Sequence, residues 1–311
     1  QGERFPFAIE VVGFSEEEGV RFGTPFIGSR ALVGKVDQEL LERKDRHGLS
    51  VRAAIQDFGL NPGEIADACL KEDVLGYIEF HIEQGPVLDD LGLPLAAVEA
   101  IVGQSRHEVT FIGRENHAGT TPMHLRQDAL AGAAEWITTV EREGNCVAGL
   151  VATVGAVNAK PGTANVIPGQ AQLTLDVRHA VDAVRLAAVD NLIRMGAELA
   201  VRRQLSMRHR TLLNQPPVAM NSVFLDCMEE AIRRAGCKPH RMVSGAGHDA
   251  MVLAEQIPTA MMFVRTPEGI SHHPNETVNF KDVEKALEAG LNLLDVLASA
   301  AILQRHKIKR A

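Results

Sequence analysis

The sequence has few aromatic residues, which make up 4% of its 311 positions, and it has no long apolar run. No stretch approaches the roughly 18 consecutive apolar residues that cross a bilayer, so we expect no membrane span. Acidic residues outnumber basic residues by 40 to 32, and the formal net charge of −8 has the wrong sign for a phosphate-binding surface. We therefore expect neither a membrane nor a nucleic acid as a partner. The length suffices for two domains of ordinary size.

Cysteine is also scarce, and the four cysteines lie far apart in the sequence, at Cys69, Cys146, Cys227 and Cys237. Because there is no C-x-x-C pair, we expect neither a disulfide framework nor a structural zinc knuckle. We instead expect small buried thiols in a protein of a reducing compartment, which predicts a cytoplasmic location.

The hydrophobic pattern of residues 1–98 and 217–311 predicts one α/β domain made of two sequence segments. Short β-branched runs predict strands at residues 7–14, 77–82 and 259–264, each followed by polar residues. The final helix has apolar residues at helical spacing, which predicts the face that packs on the core. These residues are Val283, Leu287, Leu291 and Leu294, and Asn279 is the predicted N-cap.

The pattern of residues 99–216 predicts a different domain, inserted between those two segments. It indicates the order β-α-β-β-α-β, which is typical of a small α+β sandwich. The clearest alternation covers residues 171–178, where every second residue is apolar. Such alternation predicts an antiparallel strand with one face packed on helices and the other face half-exposed.

Acidic and imidazole side chains follow the predicted strands of the α/β domain. Residues 15–19 (Ser-Glu-Glu-Glu-Gly) follow the first strand, His81 ends the second, and residues 271–276 (Ser-His-His-Pro-Asn-Glu) come after the third. Ligands of α/β sheets gather at the carboxyl ends of strands, and these residue types bind divalent cations or transfer protons. Each motif also has a simpler explanation: an acidic first helical turn, a core histidine and an exposed polar turn, respectively.

The inserted domain contributes a second group of polar candidates. His117, within the string Asn116-His-Ala-Gly-Thr-Thr-Pro122, is suited to donate a hydrogen bond to a developing oxyanion. Arg178 lies on the polar face of the alternating strand, where a guanidinium suits bidentate pairing with a carboxylate. A surface ion pair is the alternative for Arg178, and Asn165 is a further polar candidate in this domain.

Together these motifs resemble the amidohydrolase branch of the M20 metallopeptidase family, which contains N-carbamoyl-L-amino-acid hydrolases, allantoate amidohydrolases and β-ureidopropionases. The resemblance extends over essentially the whole chain, and its most specific strings are His81-Ile-Glu-Gln-Gly-Pro86 and Asn116-His-Ala-Gly-Thr-Thr-Pro-Met123. It implies a zinc-peptidase-like α/β catalytic domain with an inserted α+β domain that serves as lid and dimerisation surface. A homodimer formed through the lid is therefore expected.

The resemblance also implies a reaction: metal-dependent hydrolysis of the ureido C–N bond of an N-carbamoyl-L-amino acid or allantoate, with release of ammonia and carbon dioxide. The family holds two divalent metal ions, usually zinc or manganese. The implied metal ligands are Glu18, His81 and His272. The implied catalytic residues are Glu17 as general base and His117 as oxyanion donor. The implied substrate-binding residues are Gln104, Asn165, Arg178, Gly247 and His248.

One feature departs from the family pattern. Two further metal ligands of the family, a histidine and a bridging aspartate, lie upstream of the acidic triplet, whereas no histidine or aspartate precedes Glu16. The sequence therefore predicts an N-terminally incomplete catalytic domain with weak or partial metal binding, so that this chain alone can be inactive. Two other functions stay open: a metal-poor, non-catalytic binding or assembly homologue and, less favoured, a dipeptidase of the same family.

Overall fold

The computed structural model describes residues 5–71 and 73–299 of the chain. The chain forms two compact units. The split unit consists of Gln1–Ile101 and Ala219–Ala311, and the inserted unit consists of Val102–Val218.

The described residues form nine α-helices and eleven β-strands. In chain order the helices are α1 (Ile27–Leu32), α2 (Gln38–Leu41), α3 (Val51–Asp57), α4 (Val87–Asp90), α5 (Ala129–Cys146), α6 (Asp182–Arg202), α7 (Ser222–Arg234), α8 (Asp249–Leu253) and α9 (Phe280–Ala298). The strands are β1 (Tyr77–Ile82), β2 (Leu95–Ile101), β3 (Gly103–Ile112), β4 (Asn116–His117), β5 (Val151–Lys160), β6 (Val166–Ile167), β7 (Gln170–His179), β8 (Ser206–Gln215), β9 (Val218–Ala219), β10 (Arg241–Ser244) and β11 (Thr259–Val264). Short 3₁₀ helices cover Pro62–Ala68, Met123–Leu125 and Pro267–Gly269.

The longer strands of the split unit form a mixed sheet with the order β1-β11-β2-β10. β1 and β11 are parallel, with Tyr77 opposite Thr259 and His81 opposite Phe263, whereas β2 runs antiparallel to β11. β11 is buried along its whole length, as expected for its continuous apolar run. Because β1 and β11 are parallel, the segments that follow them leave the sheet at the same edge.

The strand predicted for residues 7–14 is wrong. Within the described part of the chain these residues pair with no strand, and Ile9 and Val11 are 51% and 94% exposed. An apolar run forms a stable strand only where a neighbouring strand pairs with its backbone and a core covers its side chains. The sequence pattern shows which side chains are apolar, but it does not show whether a partner strand lies beside them.

The last helix packs by a different face from the predicted one, since Leu287 and Leu291 are 65% and 64% exposed. Its buried residues are instead Asp282, Ala286, Ala289 and Leu293. Asp282 can be buried because Arg265 donates two hydrogen bonds to its carboxylate, at 2.9 and 3.0 Å. Asn279 stands at the N-cap position, but its side chain donates to Asp282 and accepts no hydrogen bond from a backbone amide of α9.

The inserted unit is built on an antiparallel sheet with the order β5-β7-β3-β8, and α5 and α6 pack on one face of it. The alternation predicted for residues 171–178 is confirmed in β7. Its apolar residues are at most 1% exposed, and they are Ala171, Leu173, Leu175 and Val177. Trp136 of α5 is buried in the same core, where its Nε1 donates to the carbonyl of Leu192 at 2.9 Å. The predicted element order is thus present, with β4 and β6 as an additional short pair.

The cysteines differ from the prediction of four buried thiols. Cys227 is buried on α7 and Cys237 is partly buried, whereas Cys69 and Cys146 are exposed. The two exposed cysteines lie at the ends of helices, where the final turn contacts solvent. No helix among residues 5–71 and 73–299 combines the length and the apolarity needed to cross a membrane.

We expect the substitution Leu173→Ala to lower the free energy of unfolding of the inserted unit by about 2–5 kcal/mol, because it leaves a cavity in a closely packed core. The measurement is urea unfolding followed by the fluorescence of Trp136, the single tryptophan of the chain. Leu212→Ala on β8 is the control. Because Leu212 is 50% exposed, this substitution should lower the free energy of unfolding by less than about 1 kcal/mol. Equal losses in the two variants would contradict the placement of Leu173.

Candidate active site

The acidic triplet forms a turn in which each glutamate has a different environment. Glu16 has a left-handed backbone with a φ of 59°, and its carboxylate accepts hydrogen bonds from the backbone amides of Arg21 and Phe22. Glu17 is half-buried, and burial together with the neighbouring charge of Glu18 raises the pKa of Glu17 to about 7. Glu18 is exposed. Glu16 therefore stabilises the turn that presents the other two carboxyl groups.

Glu18 meets a histidine from a distant part of the sequence. Its Oε1 lies 3.9 Å from Nε2 of His272, which belongs to the loop between β11 and α9. The backbone of His272 is left-handed with a φ of 56°, and its amide donates to the carboxylate of Glu276 at 2.9 Å. The separation of 3.9 Å is close to the spacing of about 3.3–3.6 Å between two ligands of one tetrahedral zinc ion.

His81, at the end of β1, has a defined tautomer. Its Nδ1 lies 2.7 Å from the backbone carbonyl of Ile82, so this nitrogen carries the proton and Nε2 carries the lone pair. The ring lies edge-on to that of His248, with the ring centroids 4.5 Å apart. A neutral imidazole whose second nitrogen donates to a carbonyl is the usual form of a metal-binding histidine.

His248 is fully buried at the start of α8 and stands between Ser244 and Glu79. Its Nε2 lies 2.7 Å from the Ser244 hydroxyl, and its Nδ1 lies 3.7 Å from Oε1 of Glu79. Among the described residues this Nδ1 has no hydrogen-bond partner. Burial lowers the pKa of His248 to about 3 and raises the pKa of Glu79 to about 7.

Glu79, His81 and His248 form a compact group of possible metal ligands. One ligand atom from each residue lies within 4.8 Å of the other two. Imidazole nitrogens and a carboxylate oxygen are the ligands of many zinc sites, and the buried, unpartnered Nδ1 of His248 shows that these residues fit a divalent cation. Glu79 is not among the residues predicted from the sequence. The signal was its position two residues before His81, because residues i and i+2 of a strand face the same side.

Three neighbouring residues have defined local contacts. Asp249, the first residue of α8, accepts a hydrogen bond from the Ser29 hydroxyl, and burial raises the pKa of Asp249. Gly247 lies against the ring of Phe26, where a Cβ atom would come within 3.1 Å of a ring carbon. Glu83 accepts hydrogen bonds from two backbone amides at the start of α4, at 2.8 and 2.9 Å.

In the inserted unit, His117 has the tautomer opposite to that of His81. Its Nδ1 accepts hydrogen bonds from the backbone amides of Gly119 and Thr120, at 3.0 and 3.1 Å. The neutral ring therefore carries its proton on Nε2, which makes this exposed side chain a hydrogen-bond donor. The backbone amide of Ala118 donates to the backbone carbonyl of Asn165 at 2.9 Å. The β4–β6 pair thus brings His117 and Asn165 together.

Gln104 and Arg178 are opposite each other in the β3–β7 pair, and both bind Asp176. The Gln104 amide donates at 2.5 Å, and Arg178 donates through Nε and Nη2 at 2.7 and 3.2 Å. Burial would raise the pKa of Asp176, but hydrogen bonds from Arg178 and Arg106 outweigh it and hold the pKa below its ordinary value. The structure thus contains an ion pair at Arg178, on the polar face of β7.

Residues 1–297 match the sequence profile of a family described as "Peptidase family M20/M25/M40". The chain is 39% identical over 297 residues to an N-carbamoyl-L-amino-acid amidohydrolase of Paenarthrobacter aurescens, and the match covers 94% of this chain and 72% of that protein. It is 36% identical to a probable allantoate deiminase of Oryza sativa subsp. japonica, with coverage of 94% and 66%, respectively.

A solved structure shows the same architecture. The crystal structure of an amidase of the hydantoinase/carbamoylase family from Burkholderia multivorans matches with a TM-score of 0.85 at 33% sequence identity. The match covers 92% of this chain and 70% of that one. The predicted α/β fold class is therefore confirmed.

The contacts of two histidines predict opposite tautomers. In nitrogen-15 NMR spectra near neutral pH, we expect His81 to carry its proton on Nδ1 and His117 on Nε2, because their partners are a carbonyl and two amides, respectively. Substitution of each histidine by asparagine assigns its signals. The same tautomer at both positions would contradict these contacts.

We expect Asp176→Asn to change the acid dependence of stability. The pKa of Asp176 in the folded protein lies below its ordinary value of 3.8, so the ionised carboxylate stabilises the fold above that pH. This contribution is lost as the pH falls through the folded-state pKa. The difference in unfolding free energy between wild type and variant, measured by Trp136 fluorescence, should therefore shrink below about pH 4.

The control for this measurement is Asp190→Asn, which changes an exposed aspartate of α6. We expect the difference in unfolding free energy between this variant and the wild type to vary less with pH. A difference for Asp176→Asn that stays constant between about pH 6 and about pH 2 would show that the hydrogen bonds of Arg178 and Arg106 do not stabilise the ionised form.

Proposed function

Because this chain belongs to the amidohydrolase branch of peptidase family M20/M25/M40, we propose that its protein hydrolyses a linear ureido C–N bond. The proposed substrate is an N-carbamoyl-L-amino acid or allantoate, which yields ammonia, carbon dioxide and the remaining amino compound. The names of the two relatives support this substrate class. The chain spans 72% and 66% of the lengths of these relatives.

The observation that carries the proposal is the approach of Glu18 to His272. A carboxylate oxygen and an imidazole nitrogen that lie 3.9 Å apart, on two separate loops of the split unit, provide a ligand pair for a divalent ion. The family is metal-dependent. Ureido bonds are unreactive toward plain water, so a hydrolase needs a means of activating the attacking water.

A bound divalent ion would lower the pKa of a water molecule toward neutrality and polarise the ureido carbonyl. We propose two such ions, zinc or manganese. Glu18 and His272 are assigned to one ion, and His81 is assigned to the other. Glu17 is assigned as general base: its carboxylate takes a proton from the attacking water and passes it to the leaving nitrogen. Glu16 holds the turn in which Glu17 and Glu18 are adjacent.

The inserted unit is assigned two tasks. The Nε2–H of His117 suits stabilisation of the negative charge that develops on the ureido oxygen, since two backbone amides keep Nδ1 as an acceptor. Arg178, with Gln104 and Asn165, is assigned to the carboxylate of the substrate, because a guanidinium binds carboxylates in a bidentate manner. Gly247 and His248 stay predicted substrate contacts.

We further propose a homodimer that forms through the inserted unit. β5 and β8 are the edge strands of its sheet, and most residues of both strands are exposed. Edge strands present backbone groups that can pair with a second chain. A cytoplasmic location is supported by the cysteines, which form no disulfide among the described residues.

The test of the activity is ammonia release from a set of N-carbamoyl-L-amino acids and allantoate by the full-length protein, supplied with Mn²⁺ or Zn²⁺. We expect turnover of at least one substrate, and we expect Glu17→Gln to lower kcat by about 10²–10⁴-fold through loss of the general base. Glu16→Gln is the matched control and should retain activity, because its amide oxygen can still accept the backbone hydrogen bonds.

Two results would contradict the proposal. Full activity of the Glu17→Gln variant would contradict the assignment of Glu17 as general base. No turnover of any ureido substrate would refute the amidohydrolase, and cleavage of dipeptides by the same preparation would then indicate a dipeptidase.

A further inference from the structure

We propose that a cavity beside α1 in the split unit binds a small anion that carries a phosphate group. The cavity has a volume of about 390 Å³, and three basic side chains line it, those of Arg30, Lys35 and Arg43. It is thus a local exception to the net negative charge of the chain. The lining residues include none of those assigned to the proposed hydrolysis, so this site goes beyond the proposed function.

Two of the three basic side chains keep an uncompensated charge. The ammonium group of Lys35 is paired with the carboxylate of Glu255. Within the described part of the chain, neither Arg30 nor Arg43 forms an ion pair with a carboxylate. The cavity therefore offers two guanidinium groups whose charge a ligand can neutralise.

Arg30 has a buried donor without an acceptor. Its Nε is buried, and among the described residues this atom has no hydrogen-bond partner. The backbone of Arg30 is fixed, because its amide donates to the carbonyl of Phe26 at 2.9 Å and its carbonyl accepts from the amide of Lys35 at 2.7 Å. A buried donor of a charged group is unfavourable unless an acceptor or a counter-ion compensates it. An anion in the cavity would supply that counter-charge.

Arg43 is oriented by the segment that lines the other part of the cavity. Its Nη1 donates to the hydroxyl of Thr24 and, at 3.4 Å, to the backbone carbonyl of Gly23. Thr24 is only 8% exposed, so this contact is fixed within the fold. A guanidinium has five N–H donors in a planar fork, and the contacts with Thr24 and Gly23 use only those of Nη1.

The acidic side chains at the cavity do not cancel this positive charge. The carboxylate of Asp37 caps α2 and accepts the amide of Leu40 at 2.8 Å. Both Asp37 and Glu39 are exposed, where water and salt screen their charges.

The arginines favour phosphate over other small ligands. Guanidinium groups bind phosphate oxygens in a bidentate manner, and a phosphate group has enough oxygens for two of them, whereas a carboxylate matches one. A volume of about 390 Å³ lies at the small end of the range of about 300–1,000 Å³ that is usual for ligand cavities. It suits inorganic phosphate and the phosphate group of a small ester alike.

The test is calorimetric titration of the protein with inorganic phosphate and with glycerol 3-phosphate, at an ionic strength held constant with sodium chloride. We expect both to bind, and we expect Arg30→Gln and Arg43→Gln each to weaken binding by about 10-fold or more, because each removes a charged hydrogen-bond donor. Tighter binding of glycerol 3-phosphate would identify an ester as the ligand, and equal affinities would identify the free ion.

Arg52→Gln is the matched control. Arg52 lies on α3, outside the cavity, and its Nε is paired with Glu42 at 2.7 Å. This variant should retain the wild-type affinity for phosphate. The double variant Glu18→Gln/His272→Asn excludes binding of phosphate to an active-site metal ion, and it should also retain the wild-type affinity.

Three results would overturn the proposal. They are the absence of phosphate binding by the wild type, an unchanged affinity in both Arg30→Gln and Arg43→Gln, and loss of phosphate binding in Glu18→Gln/His272→Asn.

A measurement on the unsubstituted protein covers the case in which the variants do not fold. Phenylglyoxal modifies accessible arginine side chains, and mass spectrometry of peptides locates the modified residues. We expect phosphate to protect Arg43 from modification and to leave the modification of Arg52 unchanged. Equal modification of Arg43 with and without phosphate would overturn the proposal.

Discussion

The parallel pairing of β1 with β11 is the constraint on which the candidate site of the split unit depends. Because both strands end at one edge of the sheet, His81 and the loop that carries His272 leave the sheet on the same side. Side chains alternate along a strand, so the face of β1 that carries His81 also carries Glu79. The amide of Ala250 at the start of α8 then binds Glu79 and brings His248 opposite to it. Backbone pairing thus decides which polar side chains meet.

Burial of these polar groups opposes folding. It raises the pKa of Glu79 and lowers the pKa of His248, which means that the charged form of each group is disfavoured in its place. Buried charges in proteins are usually paired or bound to a metal, and here Ser244 and Tyr77 satisfy only one side of each group. The inserted unit differs, because the carboxylate of Asp176 is satisfied by arginine and glutamine side chains. Buried polar groups that are only partly satisfied, such as Glu79 and His248, are typical of functional sites.

The sequence predicts the features that depend on local pattern. The alternation of β7, the continuous apolar run of β11 and the element order of the inserted unit all follow from side-chain periodicity. Features that depend on a distant partner could not be predicted. The apolar run of residues 7–14 lacks a neighbouring strand in the described structure, and α9 turns Leu287 outward while Arg265 pairs with the buried Asp282. The spacing of two residues from His81 places Glu79 on the same face of β1, but no local pattern shows that His248 lies opposite to it.

We propose that carboxylate and imidazole groups of the split unit form a metal centre. Its most direct test is anomalous X-ray diffraction at the zinc absorption edge, from crystals of the protein grown in the presence of Zn²⁺. We predict an anomalous peak next to Oε1 of Glu18 and Nε2 of His272, which lie 3.9 Å apart. A map from zinc-loaded crystals without a peak at these two residues would contradict the proposed metal centre.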